Sequence, residues 1–92
     1  MAKYLMLGKY SSEAIKGIAS DRTKKVTGII EKAGGRVESM MALLGRYDLA
    51  FIVNYPDNKS VFKAAVEIAR ATGIGFLSSP AITVEEFDKL AG

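Results

Sequence analysis

Residues 37–55 (VESMMALLGRYDLAFIVNY) constrain the fold more than any other part of the chain. Residues 37–44 begin with polar–apolar alternation and end as a continuous apolar run. Residues 49–53 are apolar throughout, rich in β-branched and aromatic side chains, and too few for a typical helix. Both runs read as strands covered on both faces rather than half exposed. Between them, Gly45 can take a positive φ without steric cost and Asp48 can accept a nearby backbone N–H, so the spacing predicts a hairpin that turns at Gly45-Arg46-Tyr47-Asp48. Tyr55-Pro56-Asp57-Asn58 ends the second strand, because proline lacks a ladder donor while Asp and Asn favour turns and helix caps.

What covers this hairpin is read from the flanking sequence. Residues 3–10 alternate as Tyr4, Met6, Gly8, Tyr10 on one side and Lys3, Leu5, Leu7, Lys9 on the other, the pattern of a central strand. Ser11 or Ser12 then caps a helical region with Ala14, Ile15 and Ile18. Gly17 and the Ser20-Asp21 pair predict a break, with a fresh cap at Ser20 or Asp21. Val26, Ile29, Ile30 and Ala33 fall on one helical face, and Gly34 or Gly35 stops that helix. After the hairpin, Asp57 or Asn58 caps a second helix whose predicted buried stripe is Phe62, Ala65, Ile68, Ala69 and Thr72, with Val61 beside it, ending at Gly73. Residues 74–82 are the last extended segment, and Pro80 assigns it to a sheet edge or a bulge. Thr83 followed by Glu86 is a capping-box pattern that opens a short terminal helix carrying Phe87 and Leu90.

The order βαββαβ with a helical tail folds, through right-handed crossovers, into an α+β architecture: a four-stranded antiparallel sheet of order 4-1-3-2, with both main helices on one face. Two helices cover only one face, yet both central strands are apolar on both. An open face bearing Met, Leu, Phe and Ile exceeds what soluble monomers usually leave exposed. Burial at about 25 cal/mol per Å² favours self-association. The expected partner is therefore a second copy, a homodimer through the open sheet face with larger rings as an extension. The alternative is that the tail folds across that face within one chain.

With 92 residues, the chain is read as a single domain spanning residues 1–92. It contains no cysteine and no histidine, which removes disulfides, thiol chemistry, the commonest metal ligand and the side chain best suited to proton transfer near neutral pH. The acids are scattered, so neither a metal nor a cofactor is expected. No apolar run is long enough to span a bilayer and no leader pattern precedes Lys3; the expectation is a cytoplasmic protein without a membrane partner. The formal net charge is +3, and residues 1–36 carry eight Lys or Arg against three acids. That asymmetry suits a phosphate or simply a solvated helix face.

With this order of elements, Gly45-Arg46-Tyr47-Asp48 resembles the GYD-domain family, which belongs to the dimeric α/β-barrel, ferredoxin-like group. Leu7-Gly8-Lys9-Tyr10-Ser11 is similar to the family's opening strand, Gly17-Ile18 to its helix start, and Gly34-Gly35 to its helix stop. Pro56-Asp57 matches its turn, and Thr83 with Glu85-Glu86-Phe87 its tail. The resemblance covers essentially the whole chain and implies fold and assembly. The family carries no assigned biochemical activity, so no chemistry follows from it. The sequence departs from the pattern in the last strand, where Phe76-Leu77-Ser78-Ser79-Pro80 offers only hydroxyls.

The candidate ligand-binding residues are Tyr4, Tyr10, Arg46, Tyr47, Asp48 and Asn54. Arginine can clamp a carboxylate or phosphate with its fork of donors. If the site is catalytic, Tyr10 serves as acid or electrophile, Arg46 as clamp and Asp48 as base in cofactor-independent chemistry. The competing reading is structural: Asp48 fixes the turn, Arg46 is solvated or pairs with an acid, and Tyr47 packs at the subunit interface. The expectation is thus a small ligand, anionic ones included, or a structural or regulatory role, with an enzyme as the alternative. RNA binding is the rival from another class, because βαββαβ is also the order of the RNA-recognition motif, with Tyr4 and Phe51 near its stacking positions. Leu49 and Asn54 stand where further aromatics belong, however, and the basic-glycine opening is missing, so no nucleic acid is expected.

Overall fold

The computed structural model describes residues 1–92. The elements are β1 (Ala2–Tyr10), α1 (Ser12–Lys16), α2 (Ser20–Lys32), β2 (Arg36–Ala42), β3 (Leu49–Tyr55), α3 (Asn58–Thr72), β4 (Ile74–Pro80) and α4 (Val84–Ala91). The four strands form one antiparallel sheet in the order β2-β3-β1-β4, which is the expected 4-1-3-2 order counted from the other edge. The fold is α+β and ferredoxin-like. The strand carrying Pro80 lies at an edge, where a residue without an N–H costs no ladder bond.

Register decides which side chains meet the helices. Tyr4 pairs with Val53 and Met6 with Phe51, so Tyr4, Met6, Phe51, Val53 and Tyr55 all point to the helical side, and each is buried. Val26 and Ile30 of α2 and Val61, Ala64 and Ile68 of α3 close the core over them. Tyr4 and Tyr55 meet edge to face with centroids 5.6 Å apart, a geometry worth about 1 kcal/mol beyond area burial. Leu5, Leu7, Ala50 and Ile52 point the other way and remain half-buried, while Met41 and Leu77 are 63% and 55% exposed. The face opposite the helices is open and apolar. The tail does not close it, since α4 buries none of its residues.

The caps follow the sequence in three places. The Ser11 hydroxyl accepts the Ala14 N–H at 3.0 Å, the Asp57 carboxylate accepts the Ser60 N–H at 2.8 Å, and Thr83 accepts the Glu86 N–H at 3.1 Å. The break near Gly17 is present, but α2 opens after Ala19 without a side-chain cap, and Ser20 is its first helical residue.

Four expectations are corrected. The first hairpin strand ends at Ala42, opposite Leu49 where β3 begins, so Leu43 and Leu44 have no partner strand and lie in the connecting loop. Being an edge strand, β2 is mostly exposed rather than covered on both faces. Gly45 does not use its conformational freedom: the positive-φ glycines are Gly34 and Gly73, both at helix ends. Residues 43–48 are enough to reverse the chain without a left-handed residue. The buried stripe of α3 is Val61, Ala64 and Ile68, with Phe62 73% exposed. The helix is apolar over a wide arc, and its packing on β3 and β4 turns one flank inward.

Candidate functional site

Asp48 is the polar hub of the GRYD segment, and its bonds are architectural. Its carboxylate accepts the Tyr10 backbone N–H at 2.8 Å, its own N–H donates to the Gly8 carbonyl at 2.8 Å, and its carbonyl accepts the Leu43 N–H at 2.8 Å. The residue thereby closes the β2–β3 loop through its carbonyl and ties that loop to the end of β1 through its carboxylate and N–H. Lys9 Nζ adds a bond to the Arg46 carbonyl at 2.8 Å, and the Arg46 side chain is exposed. Tyr47 is half-buried beside it.

The other predicted residues separate. Tyr4 is in the core, where its hydroxyl donates to the Asn58 side chain. Asn54 lies on the opposite face of the sheet, because it pairs with Lys3. There its amide donates to the Glu38 carboxylate at 2.7 Å, and Lys3 Nζ binds the same carboxylate at 3.1 Å. A bulge between Val37 and Ser39 brings Glu38 to these partners. The Asn54 bond and then Lys3 hold the Glu38 carboxyl below its ordinary range. Tyr4 and Asn54 therefore cannot line one pocket. The rings of Tyr4 and Phe51 also face the helices, so the open face carries no aromatic stacking platform.

Tyr10 does line a cavity. It opens between α2 and the β2–β3 end of the sheet, holds about 280 Å³, and is walled chiefly by Ile18, Val26, Met40, Leu49 and Phe51. Its polar contributions come from Tyr10, Arg22 and Thr23. The Arg22 guanidinium lies 5.2 Å from the Tyr10 ring centroid, and one of its nitrogens donates to the Ala14 carbonyl. Arg22 was not among the candidates the sequence suggested, because a cation in the first turn of a basic helix reads as solvated. The break near Gly17 was the available signal: it lets α2 start beside the end of β1, which carries Tyr10. Neither Arg46, Tyr47 nor Asp48 lines this cavity.

Elsewhere the titratable groups serve the fold. Burial pushes the Tyr55 phenol up to about 12, and its hydroxyl donates to Met6 Sδ at 3.2 Å. The Ser60 N–H and hydroxyl hold the Asp57 carboxyl below its usual value at the α3 cap. No group of three or more acids, histidines or cysteines is placed to hold a metal ion. No helix is long and apolar enough to cross a membrane.

A βαββαβ sheet, helix-covered on one side and apolar on the other, with a small cavity at one end, is the ferredoxin-like class of α+β domain. Within that class, the family model described as GYD domain matches residues 4–91, and the chain belongs to that family. Among solved structures, the chain is similar to the leucine response regulatory protein of Mycobacterium tuberculosis, with a TM-score of 0.58 at 10% sequence identity. The match covers 89% of this chain and 51% of that one, so the chain spans about half the length of that protein. At this identity the likeness is one of fold. No curated protein matches the chain in sequence.

Proposed function

We propose that this protein is a homodimeric binding domain, acting in the cytoplasm, for a small molecule with an apolar body and an anionic group, seated in the Tyr10–Arg22 cavity. One observation carries the reading: a guanidinium stands on the wall of a largely apolar hollow of about 280 Å³. Arg22 spends one nitrogen on the Ala14 carbonyl and its face on Tyr10, leaving donors free to fork onto a carboxylate or phosphate. The volume suits a ligand at the small end of the usual range.

Binding is favoured over catalysis because the groups a reaction needs are apart. Asp48 is committed to the Tyr10 backbone rather than to the Tyr10 hydroxyl, and Arg46 projects to solvent. Dimerisation through the open face supports the same reading, since Leu5, Leu7, Ile52, Met41 and Leu77 otherwise stay wet. A second copy would double the particle from 9.9 kDa, which sedimentation reads directly.

The test is a thermal-shift screen of short branched and aromatic carboxylates against their uncharged amides. A carboxylate at a hundred times its Kd should stabilise the fold by about 2.7 kcal/mol. Arg22→Gln should abolish that shift, whereas Arg46→Ala should keep it. Equal shifts from acid and amide, or an undiminished shift in Arg22→Gln, would refute the assignment.

A further inference from the structure

The helix α4 has no seat in its own chain. Val84, Phe87 and Leu90 are 75%, 58% and 80% exposed, and Ile82 just before them is 49% exposed. At 100° per residue, Val84, Phe87, Leu90 and Ala91 share one face, while Glu85, Glu86, Asp88 and Lys89 occupy the rest. Eight residues are too few to hold a helix in water unaided. The segment is nevertheless capped as one: the Thr83 hydroxyl accepts the Glu86 N–H and donates to the Glu86 carboxylate.

We infer that α4 is an arm that seats its apolar face on the open sheet face of a second copy of this chain, the two copies exchanging arms about a two-fold axis. This rests on the homodimer proposed above and adds to it the element that clasps the partner. Position supports it. The Ala81 N–H donates to the Lys3 carbonyl at 2.9 Å, and Glu86 shares a hollow with Lys3 and Asn54, both on the open face. The arm therefore leaves from the rim of the surface it would cover on its neighbour.

Charge points the same way. The open face carries Lys3, Lys9 and Arg36 against Glu38, while α4 carries Glu85, Glu86 and Asp88 against Lys89. Three cations over one anion meet three anions over one cation, giving +2 against −2. Bare sheet on bare sheet would instead oppose two surfaces of like sign.

Area gives a third argument. Three strands of seven residues and one of nine, about 4.8 Å apart and about 3.3 Å per residue, give the sheet face a flat footprint of roughly 480 Å². Stable interfaces bury about 800 Å² on each partner, so the arms supply surface that the sheet alone lacks. A lipid surface is the poorer occupant, because helices that lie on membranes present Lys and Arg, and α4 presents acids.

The absence of cysteine makes the test clean. Differently tagged chains carrying Leu90→Cys and Ile52→Cys are mixed and oxidised, and the dimer constants of the full chain, of a chain ending at Ile82 and of a Phe87→Glu variant are measured by sedimentation. Phe87 is 58% exposed and stands outside the core cluster, so the variant should fold as the parent does, which circular dichroism checks. The inference predicts a disulfide between the two tags, and at least a hundred-fold weaker dimer in both altered chains. A shortened chain that dimerises as tightly as the full one overturns the arm while leaving the homodimer standing. So does a cross-link formed only within a double variant, which would place the arm on its own sheet. A full chain that sediments as a monomer overturns both.

Discussion

Replacing Asp48 by alanine deletes the acceptor of the Tyr10 backbone N–H, a bond of 2.8 Å at the junction of β1 and the hairpin loop. The N–H stays where the sheet holds it, half-buried and without a partner. A hydrogen bond to a charged group contributes about 1.5–3 kcal/mol, and the partial exposure of Asp48 puts the loss at the lower end, about 1.5–2 kcal/mol. For a domain of 92 residues, that lowers Tm by roughly 6–16 °C. Asp48→Asn retains a side-chain oxygen and should lose no more than about half as much. Arg46→Ala, at an exposed position, should stay within about 0.5 kcal/mol. Thermal melts at one fixed protein concentration measure the series. Amide exchange adds a local readout, because the Tyr10 N–H should lose protection beyond its neighbours in Asp48→Ala. If Asp48→Ala melts with the parent, or if Asn is as damaging as Ala, the carboxylate does not tie the hairpin to β1 in the way described.

Three further outcomes follow from Tyr55 and two glycines. A phenol held at about 12 in the folded chain, against about 10 unfolded, keeps its proton better when folded. Its contribution is therefore fully present below pH 10 and is lost as pH rises from about 10 to 12, so alkaline melts should steepen in that window and flatten in Tyr55→Phe. At Gly35 an added Cβ would meet Tyr55 Cε1 at 2.7 Å and Ile30 Cγ2 at 2.8 Å, both from fully buried side chains. Gly35→Ala should therefore cost about 1–3 kcal/mol in urea unfolding. Gly28→Ala, in mid-helix with nothing within 4 Å, should gain about 0.5–1 kcal/mol by the same assay.

Much of the fold is legible because its signals are local. Alternation and β-branched runs mark the strands, Ser11, Asp57 and Thr83 mark helix starts, and Gly34 and Gly73 mark helix ends. Apolarity on both faces of β1 and β3 places those strands in the centre, and Pro80 sends β4 to an edge. The candidate site was less legible. Tyr4 and Asn54 look equally fit to line a pocket until the pairing of Lys3 with Asn54 sends them to opposite faces. A strand changes face every residue, so one step of register reverses every such assignment.

Local side-chain patterns settle the elements, their order in the sheet and the surplus of apolar surface over helix, since each depends on which side chains a short stretch carries. Packing in three dimensions sets which flank of α3 faces inward, that Asp48 reaches the backbone of β1, and that Arg22 rather than Arg46 stands at the cavity beside Tyr10. Those outcomes depend on the relative placement of elements distant in sequence. No local pattern records it, because the chain's own periodicities fix directions along an element and not the distance between two of them.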